Sequence, residues 1–504
     1  MSNRLQRGQA LILIAVAFVG LAAFIGLAVD AGILFTDIGH LRRAVDAASL
    51  SAANQFREGR TAAELAASAR QVLALNEMNV GSTGVAVETC ITNPGDPQLC
   101  FTPPRKMVRV RADLPVNFAF LPIIGFTSVT IHANAISEAA SIDIVLAIDT
   151  SDSQAYDSGC ADAAIDGNND DDAWAEINLG SGTADGVADD GCTGGPARVG
   201  SFDDDYMRDP NICNPHKQCR PFRDVQDAAV QLTTRLLPPY DRMSIVTFDR
   251  NAATRVTLGS AAAIDPVALQ TQIMALDIYK FPGCPGYTAT GDPSGCTSTN
   301  TSDGLKAAGN QFGAFTREEA VWIVILLSDG GANAATDTSS PANWICPGSP
   351  GAVNWVEPFC RDPIAGNRHP VGDAAYDPDD AARDRGDWVG CLDSNSTSHP
   401  GSCAALAPGY GQGAVIFTIG LGDRVINNTT CDAGVWGASC EPNFGEKLLR
   451  YIAAVGDDGN PLTDPCSATG VGADCGNYYY SPTGSGLLEV FEAIASRIFT
   501  RITH

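Results

Sequence analysis

The sequence predicts an α/β protein: a doubly wound, mostly parallel sheet over residues 141–504, preceded by a membrane-spanning helix and a small α+β unit. Three observations carry this expectation. From Ser141 onward, short β-branched apolar runs alternate with amphipathic helical stretches, as in a sheet covered on both faces. Residues 10–29 form a twenty-residue run without a charge, enough to cross roughly 30 Å of hydrocarbon as a helix. Between the two, residues 107–112 and 128–133 alternate apolar and polar side chains, which is the pattern of half-exposed strands.

Residues 1–56 read as an anchor that continues as a helix. Arg4 and Arg7 precede the apolar run and Asp30 follows it, but Arg42 and Arg43 lie beyond, so basic residues do not set the orientation. A cleaved signal peptide is the competing reading. Against it, the run is long for such a segment and no A-x-A site closes it. Ile38, Leu41, Val45, Ala48 and Ala52 recur at spacings of three and four, a narrow stripe for helix packing. It serves either the unit that follows or self-association. Residues 57–140 form the small α+β unit, with an Ala-rich helix over 61–75 and a Pro/Gly loop bracketed by Cys90 and Cys100.

Sixteen cysteines occur, none before Cys90, and no pair has the C-x-x-C spacing of a zinc or redox site. Most sit in Gly/Pro/Asp-rich loops. They predict disulfides formed in an oxidising compartment, so the part of the chain beyond residue 56 is expected outside the cytoplasm. The expected location is the cytoplasmic membrane, single-pass, with the C-terminal portion periplasmic or extracellular. Because most near neighbours bracket turn-rich loops, local pairing is expected: 90/100, 160/192, 213/219, 284/296, 346/360, 391/403, 431/440 and 466/475.

The formal net charge is −26 over 504 residues, so the chain repels nucleic acid and no nucleic-acid partner is expected. None of the five lysines follows glycine in a G-K-[ST] loop. There is no G-x-S-x-G elbow and no H-E-x-x-H helix, and the six histidines are scattered. No constellation for nucleophilic or zinc catalysis is present, and the expectation is a protein that is not an enzyme.

The chemistry that remains sits at strand ends. The apolar run 142–148 ends in Asp149, Ser151 and Ser153, a carboxylate and two hydroxyls at alternate positions. These are hard oxygen ligands suited to Mg²⁺, Mn²⁺ or Ca²⁺; the same pattern also makes a helix-capping turn. A second apolar run, 321–327, leads to Asp329 at a Gly-Gly turn, and a polar loop with Thr299 leads into a helix near residue 303. Further strands are expected at 242–248, 254–258 (an edge), 414–419 and 478–480, and helices at 222–236, 267–276, 303–312, 444–455 and 486–502. Residues 154–221 and 331–412, rich in Asp, Gly and Pro, read as insertions at the rim of these strand ends. Within the first, residues 166–172 resemble part of a calcium loop, but Asp171 and Ile177 occupy its sixth and twelfth positions, where an EF-hand needs Gly and Glu.

Together these residues resemble the metal-ion-dependent adhesion site of a von Willebrand factor A (vWA) domain, a Rossmann-like doubly wound fold. The resemblance covers nearly all of 141–504 apart from the insertions. Carried over position by position, it implies Asp149, Ser151, Ser153, Thr299 and Asp329 as ligands of a divalent metal, Mg²⁺ first with Mn²⁺ or Ca²⁺ as alternatives. It further implies a protein ligand whose acidic residue completes the coordination. A cysteine-bounded stretch, Cys284 to Cys296, stands where the family has a short Gly-rich lead-in, so Thr297 and Thr301 are rivals of Thr299. The N-terminal pieces 7–11, 26–32 and 43–53 are similar to those of tight-adherence (Tad) pilus-assembly proteins of the TadG kind. That implies a pilin-like α+β unit over 57–140 and pilus-assembly or self-association partners. Ile12 stands where a prepilin would carry Glu, and no clear processing site is present.

Overall fold

The structure, a computed structural model, describes residues 3–57, 59–78, 80, 84–155, 214, 217, 219–249, 251–278, 299–317, 319–332, 334, 335, 368, 369, 376–391, 411–422, 425, 426, 443–459 and 465–501. By contacts the chain forms two compact units, Met1–Ser141 and Ile142–His504.

The first unit is built on α1 (Asn3–Arg57), a single 55-residue helix. Its N-terminal half is long and apolar enough to cross a membrane, with a mean hydropathy of 2.4 over its most apolar window. Its C-terminal half buries Leu41, Ala44, Val45, Ala48, Ala52 and Phe56 against the rest of the unit. The small-residue stripe is thus used within the chain: α1 packs on α2 (Ala62–Leu75) and on a three-stranded antiparallel sheet. That sheet has the order β1 (Val85–Thr89), β2 (Lys106–Asn117), β3 (Ser128–Ala139). Close approach brings Ser49 Oγ within 2.7 Å of Ser137 Oγ. Helix α2 starts at a capping box: Thr61 N donates to Glu64 Oε2 at 2.8 Å, and Glu64 N returns a bond to Thr61 Oγ1 at 3.4 Å. Cys90 and Cys100 form the expected disulfide.

The second unit is a six-stranded sheet in the order β6-β5-β4-β7-β8-β9. These strands are β4 (Ser141–Asp149), β5 (Arg242–Phe248), β6 (Ala252–Val256), β7 (Ala320–Ser328), β8 (Val415–Leu421) and β9 (Tyr478–Ser481). Counted from β4, the order is 3-2-1-4-5-6, that of a doubly wound fold. The pairs β4–β5, β7–β8 and β8–β9 are parallel, and the edge strand β6 is antiparallel. This is the expected doubly wound, mostly parallel α/β architecture.

Alternation along β4 divides the core. Ile142, Ile144, Leu146 and Ile148 join one cluster with residues of α3 (Phe222–Thr233), α4 (Pro266–Met274) and α8 (Leu487–Arg501). Val145 and Ala147 join the other, with α5 (Thr301–Ala314), α6 (Pro378–Gly390) and α7 (Phe444–Asp458). Every residue of β4 is buried, which is why it reads as a continuous apolar run rather than an alternating one.

Helix α6 lies inside the stretch read from sequence as an insertion. It is polar, yet Asp379, Asp380, Arg383 and Asp387 are buried along it. Arg383 Nε pairs with Asp379 at 2.6 Å, one turn away. Its start carries a local sign: Asp377 and Asp380 form a capping box with Pro378 at the first turn. On the same face, α7 meets β8 backbone to backbone at Gly456, where an added Cβ would lie 2.6 Å from Ile416 Cα. Gly456→Ala is therefore expected to destabilise the fold by about 1–3 kcal/mol, read as a lower midpoint in urea. An unchanged midpoint would show that this contact can give.

Cys466 and Cys475 form the second disulfide seen, with Cα atoms 5.5 Å apart. Cys219 and Cys391 are also disulfide-bonded, to cysteines outside the described residues. The pairs 160/192, 284/296, 346/360 and 431/440, Thr297, and the calcium-loop-like stretch 166–172 lie outside the described residues.

Candidate metal centre

The strand order changes direction between β4 and β7, so the chain leaves these neighbours on opposite sides and opens a crevice at their carboxyl ends. Asp149 closes β4, and Asp329 directly follows Ser328, the last residue of β7. The turn after β4 bends back in a short 3-10 helix, Asp152–Ala155, which carries Ser153 toward the neighbouring strand end.

Four of the five sequence-predicted residues are joined by hydrogen bonds. Ser151 N donates to Asp149 Oδ1 at 2.9 Å. The hydroxyls of Ser151 and Ser153 are 2.9 Å apart. Ser153 Oγ donates to Asp329 Oδ1 at 2.8 Å. Thr299 is brought to the same end of the sheet through its backbone. Its carbonyl accepts from Ala334 N, in the segment after Asp329, at 3.4 Å, and Asn300 N donates to Asp249 O, just past β5, at 2.7 Å. Thr299 directly precedes Asn300, the N-cap of α5, whereas its rival Thr301 is the first residue of that helix. The oxygens Thr301 Oγ1 and Ser302 Oγ are buried without a hydrogen-bond partner.

Sequence reasoning missed three supporting residues. Ser328 Oγ donates to Asp149 Oδ2 at 2.7 Å and so orients the carboxylate. Asp249 follows β5 as Asp329 follows β7, an apolar strand run into Asp, and that sign was available. Its Oδ2 accepts from Thr150 Oγ1 at 3.2 Å. Thr150 also ties β4 to β5 through its N–H, which donates to Phe248 O at 2.8 Å.

The electrostatics of β4 differ at its two ends. Asp143 and Asp149 are both fully buried. Arg242 pairs with Asp143 at 2.6 Å, and Arg317 pairs with it as well. Asp149 has hydroxyl and amide partners and, among the described residues, no basic one. Burial, reinforced by the charge of Asp329, pushes the Asp149 carboxyl up to about 8. A buried carboxylate without a cationic partner, beside a second carboxylate and two serine hydroxyls, fits a hard divalent cation that brings the missing charge. Among the described residues no three His, Cys, Asp or Glu side chains converge, so a His/Cys type of site is not found there.

This raised pKa sets a pH dependence. Below about 8 the metal-free carboxyl holds a proton, which an incoming cation must displace. Divalent-metal affinity is therefore expected to fall as pH drops from 8 toward 6, by about tenfold per unit while one proton is released per metal bound. Titration calorimetry in buffers of different ionisation heat reads that proton. A flat profile would show that Asp149 is already ionised in the metal-free protein.

No family model matches this chain, and no curated protein matches it. Among solved structures, it is similar to the vWF domain of the type V pili tip protein Mfa5 from Porphyromonas gingivalis. There the identity is 14%, the coverage 72% of this chain and 96% of that one, and the TM-score 0.34. It is also similar to a variant of the PilB minor pilin from Streptococcus sanguinis, with 12% identity, coverage of 83% and 78%, and a TM-score of 0.35. A third is proximal thread matrix protein 1 from the mussel byssus, solved with a zinc-occupied MIDAS motif. The identity there is 12% and the TM-score 0.29; the match covers 71% of this chain and spans about half of the mussel protein, 47%.

Proposed function

We propose that this chain is a membrane-anchored, extracytoplasmic vWA protein that binds a protein ligand through a divalent metal, in adhesion or Tad-type pilus assembly. One observation carries the reading. Two buried carboxylates and two serine hydroxyls from the ends of neighbouring central strands form one hydrogen-bonded group, and Asp149 within it has no basic partner among the described residues. Asp149, Ser151, Ser153, Thr299 and Asp329 would hold the cation. When bound, it supplies a positive centre with a position open to a carboxylate from the partner. The protein's own part is to orient: Ser328 and the Ser151 amide fix Asp149, and Ser153 fixes Asp329. The disulfides support an oxidising compartment, and the apolar half of α1 supports the anchor. The pilus-assembly setting rests on the resemblance of segments 7–11, 26–32 and 43–53.

A second reading, a structural pilus component whose metal only stabilises the fold, is favoured by the complete burial of Asp149. A pulldown from the surface fraction, with and without EDTA, separates the two when circular dichroism is followed in parallel. Loss of the partner with the fold intact is the expected result. Unfolding in EDTA would transfer the site to the structural role.

A further inference from the structure

We propose that the turn joining β2 to β3, residues 118–126, is a second membrane anchor that dips into the outer face of the bilayer crossed by α1; this rests on the reading of α1 as a span. Between Asn117 and Thr127 the sequence holds no charged or polar side chain: three phenylalanines, Ala119, Leu121, Pro122, Ile123, Ile124 and Gly125. These side chains are not folded away. Ile123 is 84% exposed, Ile124 69%, Phe126 63% and Phe120 45%. A contiguous apolar patch of this kind on a protein surface marks a contact with something else.

What covers it follows from where the turn is held. The Asp30 carboxylate, at the end of the uncharged run, accepts from the backbone amides of Ala119 at 2.7 Å, Phe120 at 3.1 Å and Leu121 at 2.7 Å. One helical turn earlier, Phe120 packs on Gly26, where an added Cβ would lie 2.9 Å from Phe120 Cβ. The turn is therefore fixed to the last turn of the apolar run, about 6 Å on the lipid side of Asp30. Interfacial segments reach roughly 5–10 Å into the headgroup and acyl boundary. Flanking Gly26 on the helix, Leu27 and Val29 of α1 are 53% and 41% exposed, so turn and helix offer one apolar surface.

The backbone suits the same surroundings, where unpaired amides are costly. Besides the three amides given to Asp30, Phe118 N donates to Thr127 O, Ile123 N to Phe120 O, Gly125 N to Pro122 O and Phe126 N to Leu121 O. Gly125 has φ +99, which lets the chain reverse without a side-chain penalty. Asp30 thus acts as a clasp. It satisfies the amides that begin the turn and is itself satisfied by them, so neither is left open beside lipid.

The test uses the full chain, reconstituted into phosphatidylcholine vesicles that carry a lipid with a photoactivated carbene group high in its acyl chain, followed by peptide mapping. Label is expected in residues 13–29 and in 118–126, with the buried strand β4 as background. In Ile123→Asp/Ile124→Asp, label in 118–126 is expected to fall to that background while label in 13–29 persists. Both positions are exposed, and an intact Cys90–Cys100 bridge reports that the unit still folds. Label confined to 13–29 in the wild type would overturn the second anchor and leave the span. Background label in both would overturn the span and the anchor together. A turn that escapes lipid but cross-links to a second copy would assign the patch to self-association and overturn the proposal.

Discussion

Asp149→Ala is expected to weaken Mg²⁺ and Mn²⁺ binding by more than about 100-fold, since removing even an outer-shell partner of a metal ligand costs roughly 10–100-fold. Partner binding should vanish with the metal. The fold should survive. The substitution removes the hydrogen bonds from Ser151 N and Ser328 Oγ, at 2.9 and 2.7 Å, worth about 1 kcal/mol each. It also removes a carboxylate disfavoured by burial and by Asp329, so the two effects offset. Titration calorimetry on the full chain in detergent, with unfolding followed in EDTA, reads both. Equal metal affinity in wild type and variant would reduce this group to a set of capping turns.

Asp143→Ala, at the other end of the same strand, is expected to do the reverse. Asp143 is fully buried and held by Arg242 and Arg317, which are themselves 14% and 4% exposed. Arg317 Nη1 also donates to Tyr240 O at 2.9 Å, which pins it in place. Removing the shared carboxylate leaves the buried Arg317 guanidinium, and the partly buried one of Arg242, without their counter-charge, a loss of about 3 kcal/mol or more. The measurement is the urea midpoint of the full chain in EDTA. Asp143→Asn would keep part of the hydrogen bonding and lose less. A midpoint within error of wild type would show that the arginines find water when the carboxylate is gone.

How much of this was legible depended on where each residue's partners lie. Strands β4, β5, β7 and β8 are buried on both faces, so composition alone marked them within two residues of their observed ends. The edge strand β6 begins at Ala252, two residues before the expected start, because alanine carries little strand preference and one face is open. Helix α6 was hidden by its charges. Its burial depends on pairing across turns and with Tyr451 of α7, whose hydroxyl donates to Asp387 at 2.8 Å. Asp149, Ser151 and Ser153 were readable because the chain presents them in one short run. Asp249 and Ser328 were not singled out, since their role arises from the register that sets Asp149 beside Phe248 and from the neighbouring position of β7. Asp30 read only as the charge that ends an apolar run; the amides it holds lie about ninety positions further on, with Phe120 separated from it by 90.

The uninterrupted course of α1 has a mechanical consequence. Its 55 residues contain no proline, the commonest cause of a sharp bend. By the rise of an α-helix it is about 80 Å long, and its second half, with Leu41, Val45 and Ala48 buried, is packed on α2 and the three-stranded sheet. A helix without a joint transmits torque. A twist of the apolar half about its axis turns the sheet by the same angle, so the azimuth at which β1–β3 faces its surroundings is set by which side chains of residues 13–29 touch which neighbours. One residue inserted there, ahead of Gly26, would swing the rest of the first unit by about 100° and lift it by about 1.5 Å, while leaving the clasp at Asp30 closed.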